Sequence, residues 1–399
     1  MQLQAKSKSI QRLRNTGRSR TARKRLQCEP FQPSKVIKQV SRAYIGIDLH
    51  SDTCVLEATT KKGKTLCKWR FPTSGKELIA HVTAVTAKKR SIIIEEAPLA
   101  QWAIDILRPH CNSIIACDPK KNSQISKSST KRDEEDTSNL CEVLRLKAYK
   151  EVYHTTSKDR CAYKAVVQHY LDIQQDRVRS KNKIKGALNR HCYKDITGAA
   201  VFSKKNREAI LASLPGLQWR KLVERLFGHF DWLDEQAKQA QAEMEKAGRS
   251  YPEVENFQRV PGVGPVGANV FSAILQTPDR FAHKGSVVRY CALSISDRSS
   301  DNKPIGYERL ERGVGNRQLK RISYHFWLGA MGGKDNEVKT YYQACLKKNG
   351  NCTKKARLTT QRKIMTTLWA MWKNKTKYDP SMFAHSSPRT SDRRPKTKS

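Results

Sequence analysis

The chain has 399 residues and a formal net charge of +40, from 77 Lys and Arg against 37 Asp and Glu. That length predicts two or three domains, and so much like charge points to a polyanionic partner, nucleic acid first. No stretch reaches the ~18 apolar residues of a membrane span, and the polar, Arg-rich start excludes a secretory signal. A cytoplasmic, nucleoid-associated protein with no membrane partner is expected. Eleven cysteines, none in a Cys-x-x-Cys pair, read as reduced apolar residues and exclude a zinc ribbon or disulfide framework.

Residues 1–42 carry basic runs such as Arg18 to Arg25 and predict a disordered arm with nonspecific phosphate affinity. From Ala43 the pattern changes. Strands are expected at Tyr44 to Leu49, Cys54 to Thr59 and Thr65 to Phe71. A helix over Gly75 to Ala87 follows, then a strand Ser91 to Ile94 ending in Glu95 and Glu96. A helix Leu99 to Leu107, a strand Ser113 to Cys117 and a helix from about Glu134 to Leu146 complete the domain, 43–155. The order β-β-β-α-β-α-β-α is that of a ribonuclease-H-like mixed sheet; a dinucleotide-binding domain would begin β-α-β.

Residues 156–250 predict a basic helical or coiled-coil linker, with long patterns at Asp159 to Arg190 and Gln236 to Ala247. A helical C-terminal domain, 251–345, opens on Val260-Pro261-Gly262-Val263-Gly264-Pro265. This resembles a helix-hairpin-helix turn, in which Gly262 and Gly264 would let backbone N–H groups approach a phosphate; an ordinary tight turn is equally compatible. Arg317, Lys320 and Arg321 recur at helical spacing, as phosphate contacts or as a solvated face. Residues 346–399 form a basic helical and disordered tail. The overall class is α/β plus all-α.

Four acids sit where a metal site would need them. Asp48 lies in an apolar strand, where an unpaired carboxylate is costly, and Glu95 ends another. Asp133 and Asp136, three apart, share one face of a helix start. Gathered together, each pair at ~4 Å and an effective dielectric of about 20 would repel by about 4 kcal/mol. Divalent cations relieve that repulsion, and oxygen-only donors select Mg2+ or Mn2+. Two such ions can clamp a phosphodiester. Glu96, Asp118, Glu134 and Glu135 are neighbouring acids able to substitute for one of the four.

The segments YIGIDLHSD, IIIEEAPLAQW, CDPKKN and KRDEEDTSNL resemble the N-terminal domain of DEDD-type insertion-sequence transposases, a family described as bridge-RNA-guided recombinases. VPGVGPVGA, RFAHKGSVVRYCALS, RSSD and NRQLKR resemble its second domain, so the likeness runs over about 43–335 in order. It implies a RuvC-like first domain with Asp48, Glu95, Asp133 and Asp136 binding Mg2+. It also implies a serine nucleophile that joins covalently to DNA, here Ser300. Ser299 is the alternative, because Asp301 stands where many members carry Gly. Donor and target DNA, a noncoding guide RNA and a homo-oligomer, dimer or tetramer, are the implied partners. No His is near Ser300 in sequence, so a composite site with the metal-loaded acids is expected to activate it. Two other functions fit the residues: a junction-type nuclease using water, which needs the acids alone, and a non-catalytic nucleic-acid-binding protein.

Overall fold

The structure, a computed structural model, describes residues 39–118, 133–296, 299–300, 303–304, 309–310 and 313–384, with backbone alone for 133–135, 299–300, 303–304 and 309. Residues 1–38 of the expected basic arm and 385–399 of the expected tail lie outside the described residues. The chain divides into two compact units, residues 1–156 and 157–399.

The first unit runs β1 (Val40–Leu49), β2 (Thr53–Thr59), β3 (Thr65–Pro72), α1 (Gly75–Ala84), β4 (Ala87–Glu95), α2 (Ala100–Leu107), β5 (Ser113–Cys117), α3 (Asp133–Leu146) and β6 (Glu151–Val152). The sheet order is β3-β2-β1-β4-β5-β6. β1 to β3 are antiparallel, and β4 and β5 join parallel to β1. This is the expected ribonuclease-H-like arrangement, with β6 added antiparallel at the edge. Strand alternation sorts the two faces. Ile45, Ile47, Ile92 and Ile94 are fully buried with Leu78 and Val82 of α1 and Ala103 and Ile104 of α2. Burying each isoleucine contributes about 1.5–3 kcal/mol. On the opposite face Ile93 and Cys117 pack against Leu140, Val143 and Leu144 of α3.

The second unit begins with α4 (Lys158–Asn189), α5 (Arg207–Ser213) and α6 (Leu217–Gly248). It continues with α7 (Pro252–Phe257), α8 (Pro265–Leu275), α9 (Lys284–Tyr290) and four two-residue strands, β7 (Ile295–Ser296), β8 (Ser299–Ser300), β9 (Lys303–Pro304) and β10 (Arg309–Leu310). Helices α10 (Arg317–Gly332), α11 (Glu337–Lys348) and α12 (Thr353–Asn374) close it. Helices α4 and α6, 32 residues each, form a hairpin. The second helix is far longer than the stretch expected from Gln236. Its first half is carried by Val223, Phe227 and Phe230, an aromatic-rich face that buries against Ile184 and Leu188. Arg207 adds a bidentate ion pair to Asp231 at 2.5 and 2.6 Å. The other end of the hairpin shares one apolar core with the helices that follow. Val167 and Tyr170 of α4 and Met244 of α6 cluster there with Phe257, Phe271, Phe326, Ile364 and Leu368. Helix α12, placed by sequence in a basic tail, is thus part of that core.

None of the described cysteines forms a disulfide. No helix of the described residues is long and apolar enough to cross a membrane.

Candidate active site

Parallel pairing of β1 with β4 sets Ile47 opposite Ile94. One register step further, Asp48 and Glu95 stand side by side at the carboxyl ends of adjacent strands. Asp48 is therefore next to last in its strand. Both acids fall on the α3 face, since each follows by two residues a position that meets that helix, Gly46 or Ile93.

Helix α3 runs antiparallel to β1. A Cβ on Gly46 would lie 2.7 Å from the Thr137 carbonyl oxygen and 3.1 Å from the Cys141 nitrogen, while the Cys141 thiol reaches back to the Tyr44 carbonyl. The first turn of α3, which begins at Asp133 and includes Asp136, is directed toward the strand ends that carry Asp48 and Glu95. Asp136 is half-buried; the Asp133 side chain lies outside the described residues. Among the described residues no group of three or more His, Cys, Asp or Glu side chains is close enough to hold one ion. The donor chemistry, carboxylate oxygens alone, suits a hard divalent cation.

Two histidines that sequence reasoning did not single out also meet this edge. His50 Nε2 lies 2.9 Å from Asp48 Oδ2, with the Asp48 side chain 14% exposed. His154 Nε2 lies 2.6 Å from Glu96 Oε2, and its Nδ1 lies 2.8 Å from Gln101 Oε1. The Gln101 amide nitrogen donates to Asp105 Oδ1 and the Thr155 carbonyl, which fixes its oxygen toward His154. Both ring nitrogens thus face side-chain oxygens. Glu96 is consequently engaged by His154, and Glu95 is the carboxylate turned to the α3 face.

Glu57 is the third residue the sequence did not disclose. It is 4% exposed and pairs across the sheet with Gly46. Its carboxylate accepts from Ser138 Oγ at 2.6 Å and Thr65 Oγ1 at 3.2 Å, with Lys68 Nζ at 3.3 Å. Ser138 is two residues from Asp136, so this buried carboxylate anchors the acid-bearing end of α3 to the sheet. The Cys141 thiol beside it is pushed up to about 12, chiefly by burial, and acts as a neutral hydrogen-bonding group. Glu57→Gln puts an amide donor among three donors. Leaving one buried partner unsatisfied costs about 1–3 kcal/mol, so thermal unfolding should show a lower midpoint. Mn2+ titration should show weaker binding, although Glu57 itself is not a ligand.

In the second unit Ser299 and Ser300 form β8 and pair with Pro304 and Lys303 of β9. Their side chains, and residue Asp301, lie outside the described residues. Gly262 has φ 86°, and a Cβ there would fall 2.2 Å from the Phe326 carbonyl oxygen and 2.5 Å from the Ala330 nitrogen. The close approach this glycine permits is to helix α10, so packing by itself requires a glycine here. Gly264 is exposed and caps α8, with Pro265 at the first helical position. Arg317, Lys320 and Arg321 occupy the first turns of α10 behind the Asn316 cap, whose Oδ1 accepts from the Gln318 and Leu319 amides. Cations at the positive end of a helix cost about 0.3–1 kcal/mol each. None of the three has a carboxylate partner among the described residues.

Two family models match the chain. One, a DEDD transposase of the IS110 type, matches residues 45–193. The other, described as the transposase IS116/IS110/IS902 family, matches residues 254–343. The insertion element IS116 uncharacterized 44.8 kDa protein of Streptomyces clavuligerus is 29% identical over 163 residues, 40% of this chain. That match spans 39% of the relative's length. The first model covers the sheet with its edge of acids, the second the helices around Gly262 and β8, and both name one family in the same order along the chain. The chain belongs to the IS110-type DEDD transposases of insertion sequences.

Proposed function

We propose that the protein cuts and rejoins DNA strands as the transposase of an insertion sequence, in a reaction dependent on Mg2+ or Mn2+. The observation that supports this most is the register of β1 and β4, which sets Asp48 beside Glu95 under the acidic first turn of an antiparallel helix. Asp48, Glu95, Asp133 and Asp136 would hold the cation, which when bound supplies positive charge to a phosphodiester. His50 orients the Asp48 carboxylate, and His154 with Gln101 keeps Glu96 out of the ligand set.

Ser300 is the proposed nucleophile, with Ser299 as the alternative. Its oxygen forms a bond to phosphorus while the bond from phosphorus to the leaving deoxyribose oxygen breaks. The serine loses its proton and the leaving oxygen gains one, and the energy of the phosphodiester is kept for rejoining. Following the family resemblance, a noncoding RNA pairs with donor and target DNA, and the protein acts as a homo-oligomer. The net charge of +40 suits binding to both nucleic acids.

The test is a covalent-adduct assay on denaturing gels with metal and labelled element-end DNA, joined to sequencing of RNA that copurifies with the protein. Ser300→Ala is expected to abolish the adduct while DNA binding persists. An adduct that survives in Ser300→Ala and disappears in Ser299→Ala moves the nucleophile by one residue. Cleavage with no adduct in the unaltered protein replaces this reading with hydrolysis by water.

A further inference from the structure

Helix α10 exposes a stripe in which Arg317, Arg321, Tyr324 and Leu328 follow at steps of four, three and four residues. Tyr324 is 39% exposed and Leu328 48%, so the aromatic and apolar half of the stripe is left in water. The Trp327 ring lies 5.6 Å from that of Tyr324, and Tyr342 of α11 meets Trp327 edge-on at 5.6 Å. Arg357 of α12 spreads its guanidinium over both indole and phenol, 5.7 Å from Trp327 and 5.4 Å from Tyr324. Three helices thus meet at one aromatic cluster with an arginine stacked on it.

The end of α11 and the start of α12 are basic. Lys347 and Lys348 end α11, and Lys354 and Lys355 stand with Arg357 at the start of α12, whose first turn holds no acid. None of these cations has a carboxylate partner among the described residues. A protein partner would be expected to meet apolar surface with apolar surface; here the rings are ringed by unneutralised cations, which fits a polyanion that also carries flat π-faces. Bases inside a duplex are stacked on each other and unavailable to Tyr324. Unpaired bases are available.

We propose that this α10–α11–α12 surface holds unpaired DNA, with the Tyr324 ring stacking on a base and Arg321, Lys354 and Arg357 tracking the phosphates. This rests on the strand-cutting reading only for the source of the unpaired DNA: opening and cutting a duplex frees single-stranded segments that must be retained until rejoining.

The test is fluorescence-anisotropy titration of the full chain with labelled oligothymidylate, oligouridylate and a blunt duplex, all in the presence of EDTA. Tyr324→Ala and Arg357→Ala are expected to weaken oligothymidylate binding about tenfold, with Tyr324→Phe within about twofold of the parent. Duplex binding should be unchanged in all three. Unchanged oligothymidylate affinity in Tyr324→Ala overturns the proposal, as does an equal loss on duplex. Tighter binding of oligouridylate with the same dependence on Tyr324 assigns the surface to RNA and overturns it as well. Because no metal is present, an inactive acid site leaves these results untouched.

Discussion

Asp48→Asn is expected to lower metal-dependent strand cleavage by at least about a hundred- to a thousandfold, the loss typical of removing one preorganised electrostatic contact in an active site. The substitution keeps shape and a hydrogen-bonding oxygen for His50, so β1 and its pairing with β2 and β4 should survive. What disappears is the negative charge that offsets a divalent cation. Thermal unfolding without metal should match the parent, while stabilisation by added Mn2+ should shrink, because a ligand stabilises only in proportion to its affinity. Glu96→Gln is the matched control: that carboxylate is held by His154, and cleavage should fall far less. Equal cutting by Asp48→Asn and the parent would remove the acid edge from the chemistry.

Gly262→Ala is expected to damage the second unit rather than DNA contact alone. At φ 86° an L side chain is strained, and the new methyl would sit 2.2 Å from one backbone atom of α10 and 2.5 Å from another. Backbone cannot rotate out of the way as a flexible side chain can, so α10 must move. The core it shares with Phe257, Phe271 and Ile364 must open with it. Overpacking of this kind costs about 1–3 kcal/mol, and the strained backbone adds about 1–3 kcal/mol more. Denaturant unfolding should show a clearly lower midpoint. Gly264→Ala provides the contrast, since nothing lies within 4 Å of a Cβ there. Weakened DNA binding by Gly264→Ala at unchanged stability would identify it as the phosphate-facing glycine of the pair.

The sheet was legible because its strands are short apolar runs with plain turns between them, and Ser113 to Cys117 is a strand from end to end as read. Asp48 and Glu95 were legible as acids closing such runs. Glu57 was not. In Val55-Leu56-Glu57-Ala58 an acid at an alternate position reads as facing water, and only the arrival of α3 from eighty residues away buries it against Ser138. His154 was hidden for the same reason, its partners being Glu96 and Gln101 on the far side of the sheet's connections. The first half of α6 was missed because Phe227, Phe230 and Trp232 crowd a stretch whose periodicity shows only once α4 lies alongside. Gly262 could be read as a loop glycine or a packing glycine, and only the position of α10 separates the two.

The anchoring of α3 also limits how this chain can change over time. Asp136, Ser138 and Cys141 lie on consecutive stretches of one helix, so the acid is aimed by the same screw that seats the serine on Glu57 and the thiol beneath Gly46. Each residue advances that screw by about 100°. A single inserted or deleted position between Asp136 and Ser138 would leave the helix intact and the sheet intact, yet swing the carboxylate a quarter-turn or more away. A frame-preserving gain or loss of one codon there uncouples the acid from its anchor.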